Sequence, residues 1–223
     1  MFWIYMLRGP GKERQESALI AAVNRERPCQ LLDEVIAPLP MKKGKPRRED
    51  YECERKGTAV VLLAYDMDTG QRYVQVRKQR TKKDYAQFMH WLITEHYAHV
   101  EQVELVQDNL NTHSYGSFYE HLPAEEARGL AKKVNFHFTP KHGSWLNMAE
   151  IEFSSLAREC LARECLDRRI DTIDKLQNEV LAWSKKRNER NVKIHWSFTV
   201  DTAREKLSRQ YQSVNQENSI YSN

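Results

Sequence analysis

Three consecutive pieces of sequence set the fold: Thr58-Ala59-Val60-Val61-Leu62-Leu63-Ala64-Tyr65, then Asp66-Met67-Asp68-Thr69-Gly70, then Arg72-Tyr73-Val74-Gln75-Val76-Arg77. The first is an unbroken apolar run, the pattern of a buried strand. The last alternates polar and apolar residues, as a half-exposed strand does. Asp and Gly between them are turn formers. The stretch predicts a β-hairpin.

Beyond the hairpin, Thr81 is an N-cap candidate with Asp84 three residues on, a loose capping box. Tyr85, Phe88, Met89, Leu92 and Ile93 then recur at helical spacing. Val103-Glu104-Leu105-Val106 predicts a short strand ending at Gln107-Asp108-Asn109. Residues 114–133 predict helix, with Pro123 marking a break or a fresh start, and Val134-Asn135-Phe136-His137-Phe138 a further strand. A helix begins near Asn147 and runs toward Leu166. Two more helical stretches, about 172–187 and 200–211, follow. Upstream, residues 1–28 carry no clear period, and residues 1–25 are expected to be an irregular segment. The order is that of a mixed α/β domain with a central sheet.

Composition narrows the class. The chain has 223 residues, 40% of them hydrophobic and 10% aromatic, enough for a sizeable core and too much for wholesale disorder. No run approaches the ~18 apolar residues of a membrane span, so no membrane role is expected. The four cysteines form no CxxC pair, which argues against a zinc knuckle or a disulfide scaffold and for a reduced, cytoplasmic chain. Lys plus Arg (35) barely exceeds Asp plus Glu (31), but the cations cluster. Lys42, Lys43, Lys45, Arg47 and Arg48 form one run without acids. Arg72, Arg77, Lys78, Arg80, Lys82 and Lys83 form another. Such patches suit a polyanion; a solvated hairpin and loop fits the same residues equally.

Two carboxylates hold positions where chemistry gathers. Asp108 follows a strand end in an α/β sheet, although an Asp-Asn pair also serves simply as a turn. Glu150 lies one turn into its helix, where a capping-box Glu would equally stand. Glu152 is a rival carboxylate, but two residues along a helix it points away from Glu150. His90, His96 and His99 lack metal-site spacing and read as helix-surface residues.

Val106-Gln107-Asp108-Asn109-Leu110-Asn111-Thr112-His113 and Phe138-Thr139-Pro140-Lys141-His142-Gly143-Ser144-Trp145-Leu146-Asn147-Met148-Ala149-Glu150 together resemble the bacterial insertion-sequence transposases of the mariner superfamily, within it the six-thirty family. Gly44 to Tyr51, His195 to Thr199 and Ala203 to Leu207 extend the resemblance, which runs from about Arg27 to Tyr211. It implies a DDE endonuclease of RNase H-like fold, a central mixed sheet with flanking helices and a helical C-terminal extension, over residues 26–223. It implies Asp108 and Glu150 as catalytic, metal-holding carboxylates for Mg²⁺ (Mn²⁺ can substitute). It also implies double-stranded DNA at transposon ends and target as partner, a homodimer, and nucleoid association. His113, Lys141 and His142 are candidate phosphate contacts.

The resemblance breaks at the first catalytic Asp. The family has an Asp-Glu pair before Pro-x-Gln-Leu-Leu; here Pro28-Cys29-Gln30-Leu31-Leu32 follows Glu26, but residue 25 is Arg. A cation beside two metal ions is strongly unfavourable. Glu26 is the candidate substitute, though neighbouring strand residues face opposite ways. Asp66 and Asp68, on the hairpin turn, lie too far along the sheet. The codons of Met1 to Met6, read from the third base, give Val-Leu-Asp, Ile or Leu, then Tyr or His, resembling family text before the first strand. Residues 1–25 are therefore expected to be out of frame, and the family's N-terminal helix-turn-helix domain to be missing. An impaired transposase is the resulting expectation, with a non-enzymatic DNA-binding remnant and another RNase H-like nuclease as the alternatives.

Overall fold

The hairpin anchors a six-stranded mixed sheet. The computed structural model describes residues 17–24, 29–37, 39–46, 48, 52–139, 147–159 and 169–195. Its strands are β1 (Ser17–Asn24), β2 (Cys29–Glu34), β3 (Cys53–Asp66), β4 (Arg72–Arg77), β5 (Gln102–Gln107) and β6 (Val134–Phe138). Its helices are α1 (Lys82–Trp91), α2 (Tyr115–His121), α3 (Ala124–Lys133), α4 (Met148–Leu156) and α5 (Ile173–Glu189).

β3 and β4 form the expected antiparallel hairpin, Val60 opposite Arg77 and Tyr65 opposite Arg72. Asp66 closes its turn by accepting the Asp68 and Thr69 N–H groups on Oδ1, both at 2.8 Å. Gly70 there has φ +76°, a value few other residues adopt without strain. On its other edge β3 pairs antiparallel with β1, which in turn runs parallel to β5, and β5 parallel to β6. β2 pairs with the first half of β3. The order β4-β3-β1-β5-β6, with β3 alone against the run of β1, β5 and β6, is the mixed α/β, RNase H-like architecture that the resemblance implies.

Ser17–Asn24 corrects the expectation of an irregular segment over residues 1–25: these eight residues are an inner strand, bonded on both edges. The run Ala-Leu-Ile-Ala-Ala-Val has no alternation because a central strand of such a sheet is covered on both faces. Periodicity is then the wrong signal.

Side-chain alternation divides the sheet between two cores. Ile20, Val60, Leu62, Ala64, Val103, Leu105 and Val134 face α1–α3, meeting Tyr85, Phe88, Met89, Phe118, Ala127 and Leu130. The opposite face carries α4, which packs on β3 and β1, and α5, which packs on β4. Met148, Ala149, Phe153, Leu156, Leu176, Val180 and Trp183 are buried there. Each large apolar side chain so buried contributes roughly 1.5–3 kcal/mol.

Local signals place the helices as expected. Thr81 caps α1 with both capping-box bonds to Asp84. Pro123 separates α2 from α3. α1 continues into a π-helical turn, Leu92–His96. Thr172 caps α5 through the Lys175 N–H, and α5 runs to Glu189, beyond the predicted end near 187. The predicted helix at 200–211, and the stretch of the α4 helix from 160 to 166, lie outside the described residues. No helix among the described residues is long and apolar enough to cross a membrane.

Candidate active site

β5 delivers Asp108. The strand sits between two parallel neighbours and ends at Gln107, whose side chain is fully buried and whose Oε1 accepts the Tyr85 hydroxyl at 2.7 Å. Burial holds the Tyr85 phenol far above its ordinary pKa, so it stays a donor. The Gln107 carbonyl accepts the Thr139 N–H at 2.9 Å, tying the end of β5 to the end of β6.

After Gln107 the chain turns sharply. Leu110 N–H returns to the Asp108 carbonyl and His113 N–H to the Leu110 carbonyl, both at 2.9 Å. The His113 ring is 2% exposed and stacks near Tyr85 at 4.7 Å. Its Nδ1 lies 3.0 Å from the Asp108 carbonyl and 3.3 Å from Asp108 Oδ1. Both facing atoms are acceptors, so Nδ1 carries the proton, and its hydrogen bond goes to the carbonyl. Asp108 Oδ1 is buried with no hydrogen-bond partner among the described residues, and so are Gln107 Nε2 and Thr112 Oγ1. A buried carboxylate oxygen left without a donor is costly unless a cation meets it. His113 thus braces the Asp108 turn from inside.

Glu150 enters from the opposite layer. Asn147 caps α4 by accepting the Ala149 N–H at 3.1 Å. Glu150 follows in the first turn, where a carboxylate suits the helix dipole, and is partly exposed. α4 lies over β1, the strand beside β5. Asp108 and Glu150 therefore stand on elements that share β1 as neighbour. Among the described residues no group of three or more His, Cys, Asp or Glu is arranged to hold a metal. Glu26, the candidate for the missing carboxylate, lies outside the described residues, as do Arg47, Lys141 and His142. Asp66 is excluded: it sits level with Ile20 and Leu105, and its carboxylate is committed to the hairpin turn and to the Tyr97 hydroxyl at 2.9 Å.

The basic patches fare differently. Lys42, Lys43, Lys45 and Arg48 are exposed on a small arm. Paired backbone bonds join Leu39 to Arg48 and Lys42 to Lys45, and Gly44 turns it at φ +78°. In the second patch Lys78 and Lys83 are exposed, Arg77 and Arg80 are half-buried, and Lys82 is bonded to Glu120 at 2.7 Å. Arg72 does not belong to any surface patch. It is wholly buried, forking onto Glu152 with Nε to Oε2 at 2.6 Å and Nη2 to Oε1 at 2.7 Å. A count of charges along the chain ignores which face of the strand each occupies. Arg72 shares the inward face with Val74 and Val76, and that parity was the available signal.

Two other residues escaped the sequence reading. Glu104 is buried on β5 and accepts His137 Nε2 at 2.6 Å and Asn135 Nδ2 at 3.0 Å, joining β5 to β6. His96 is partly buried: its ring packs on Tyr73 at 4.4 Å and on Trp91 at 4.8 Å, and burial lowers its pKa. His90 pairs with Glu126 at 3.2 Å, and His99 is exposed.

No curated protein matches the chain. Among solved structures, a chain of the simian T-cell lymphotropic virus intasome in complex with the PP2A regulatory subunit B56 gamma, determined by cryo-EM, is similar over 81% of this chain, at 11% identity and a TM-score of 0.46. This chain spans 51% of that one, about half its length. The family model of the DDE superfamily endonuclease matches residues 26–177, most of the sequence. The chain therefore belongs to the DDE superfamily of endonucleases.

Proposed function

We propose that this chain is the catalytic domain of a bacterial insertion-sequence transposase of the mariner superfamily, built for metal-dependent cleavage and strand transfer at transposon ends, and impaired in cleavage. The observation that carries the reading is Asp108: a carboxylate at the carboxyl end of an inner parallel strand, with one oxygen buried, 3.3 Å from His113 Nδ1 and without a hydrogen-bond partner among the described residues. DDE endonucleases use divalent metal ions. Asp108 and Glu150 are the hard oxygen donors that would hold Mg²⁺, or Mn²⁺ in its place. When bound, such ions activate the attacking oxygen and stabilise the leaving oxygen of a phosphodiester.

The chain's own residues do the rest. His113 and the Gln107–Tyr85 bond hold Asp108 in place. The arm carrying Lys42, Lys43, Lys45 and Arg48 meets the DNA backbone, with Lys78 and Lys83 in support. A homodimer on two transposon ends is part of the proposal. Arg25, where the resemblance expects the first catalytic Asp, weakens metal binding but leaves phosphate contacts intact.

The test is Mg²⁺- or Mn²⁺-dependent nicking of supercoiled plasmid by the chain, Asp108→Asn and Arg25→Asp. Nicking gained by Arg25→Asp and lost again in Arg25→Asp/Asp108→Asn is the expected result. Nicking by the parent that Asp108→Asn abolishes would mean that another carboxylate, such as Glu26, completes the site. If no variant nicks yet all bind DNA, the chain is a DNA-binding remnant and the catalytic reading is wrong.

A further inference from the structure

We infer that the buried Arg72–Glu152 pair is a positioning device for Glu150, setting the rotation and height of α4 on the sheet. The inference rests on the metal-holding role proposed above for Glu150.

The pair joins three elements. Glu152 belongs to α4, two residues after Glu150, and Arg72 opens β4. Neither side chain has any exposed surface. Arg72 is itself immobilised: Nη1 donates to the Gly70 carbonyl at 2.7 Å, Nη2 to the Val192 carbonyl at 2.6 Å, and the guanidinium lies 5.1 Å from the centre of the Tyr65 ring. Its backbone is held by α5, since Asn188 Oδ1 accepts the Arg72 N–H at 2.9 Å and Ser184 Oγ donates to the Arg72 carbonyl at 3.1 Å. Two turns further on, Glu159 repeats the arrangement. It accepts Arg187 Nη1 at 2.8 Å and Trp183 Nε1 at 3.1 Å. Arg187 also reaches Glu152 at 3.4 Å. An acidic stripe at i and i+7 thus latches onto two arginines held by the hairpin and α5.

Physical chemistry gives this pair an orienting rather than a stabilising role. The apolar contacts of Met148, Ala149, Phe153 and Leu156 hold α4 to the sheet, but such contacts are non-directional. A bidentate guanidinium–carboxylate fork is directional. Replacing a buried ion pair with apolar residues of similar volume is commonly neutral or better for stability, so its presence calls for another explanation. Glu150 precedes Glu152 by roughly 200° of helical turn. Fixing Glu152 against β4 therefore fixes Glu150 on the other side of α4.

The test compares the parent chain, Arg25→Asp, Asp108→Asn, Arg72→Met/Glu152→Leu and Arg72→Lys. Each is measured by thermal melting in EDTA, by amide hydrogen exchange along the chain without metal, and by the Mn²⁺ concentration giving half the maximal rise in melting temperature. In the double variant the expected result is melting in EDTA only a few degrees below the parent's, from the lost Gly70 and Val192 bonds, with faster exchange concentrated in α4. The Mn²⁺ midpoint should rise about tenfold, the scale typical for loss of a group that orients a metal ligand. Arg72→Lys keeps the charge but lacks the fork, and should also raise the midpoint. Unchanged α4 exchange and midpoint in both variants would overturn the inference. So would a general loss of protection in the double variant, or its failure to fold, combined with an unchanged midpoint in Arg72→Lys, since the pair would then be merely structural. If Mn²⁺ raises the melting temperature of neither the parent nor Arg25→Asp, or raises that of Asp108→Asn equally, the metal-holding reading fails. The exchange data then judge the positioning of α4 by themselves.

Discussion

Removing Arg72 alone should damage the protein far more than its place in a basic run implies. In Arg72→Met the Glu152 carboxylate remains wholly buried without its fork, a loss that costs about 3–5 kcal/mol. Arg187, 3.4 Å away, compensates part of the charge and pulls the figure toward the lower end. The Gly70 and Val192 carbonyls lose their donors, adding roughly 0.5–1.5 kcal/mol for each bond. The net is about 4–6 kcal/mol. For a unit running from Glu13 to Ile194, each kcal/mol moves the melting temperature by roughly 2–4 °C, so a fall of about 8–24 °C is expected. Urea unfolding and thermal melting of Arg72→Met beside Lys43→Met measure it, the latter an exposed arm position expected to change stability by less than about 0.5 kcal/mol. If both variants melt together, or if Arg72→Met is no worse than Arg72→Met/Glu152→Leu, the reasoning from an uncompensated buried charge is refuted.

Two further outcomes follow from the same structure. Burial lowers the His96 pKa, so as pH falls the unfolded chain takes up the proton first. The stability this contributes is whole above about pH 6.5 and is lost as pH drops from there toward the folded-state value. His96→Phe, which keeps the stack on Tyr73, should flatten the melting temperature between pH 7.5 and 5.5, and an unchanged slope would count against it. For DNA binding, Lys42→Ala/Lys43→Ala/Lys45→Ala should reduce the slope of log affinity against log salt by about 2–3, at roughly 0.9 for each phosphate contact. Lys82→Ala should matter less because that ammonium is already bonded to Glu120; equal losses from both would place the contact elsewhere.

The sequence by itself determined what is local. The hairpin, the Thr81 cap, the break at Pro123 and the strand ending at Asp108 follow from turn chemistry, capping and short-range periodicity. The structure has each of them. Helical spacing alone also separated Glu150 from Glu152. Tertiary structure decided what depends on coverage and on distant partners. Ser17–Asn24 has no period to detect because both faces of an inner strand are covered, and only its pairing with β3 and β5 makes it a strand. Asp108 was a site candidate from the sequence; what tertiary structure adds is the burial of one oxygen behind a turn braced by His113. Arg72 and Glu152 lie 80 residues apart. No spacing rule connects them; they meet because the hairpin and α4 pack on the same layer, where a buried charge is costly unless its opposite is brought to it.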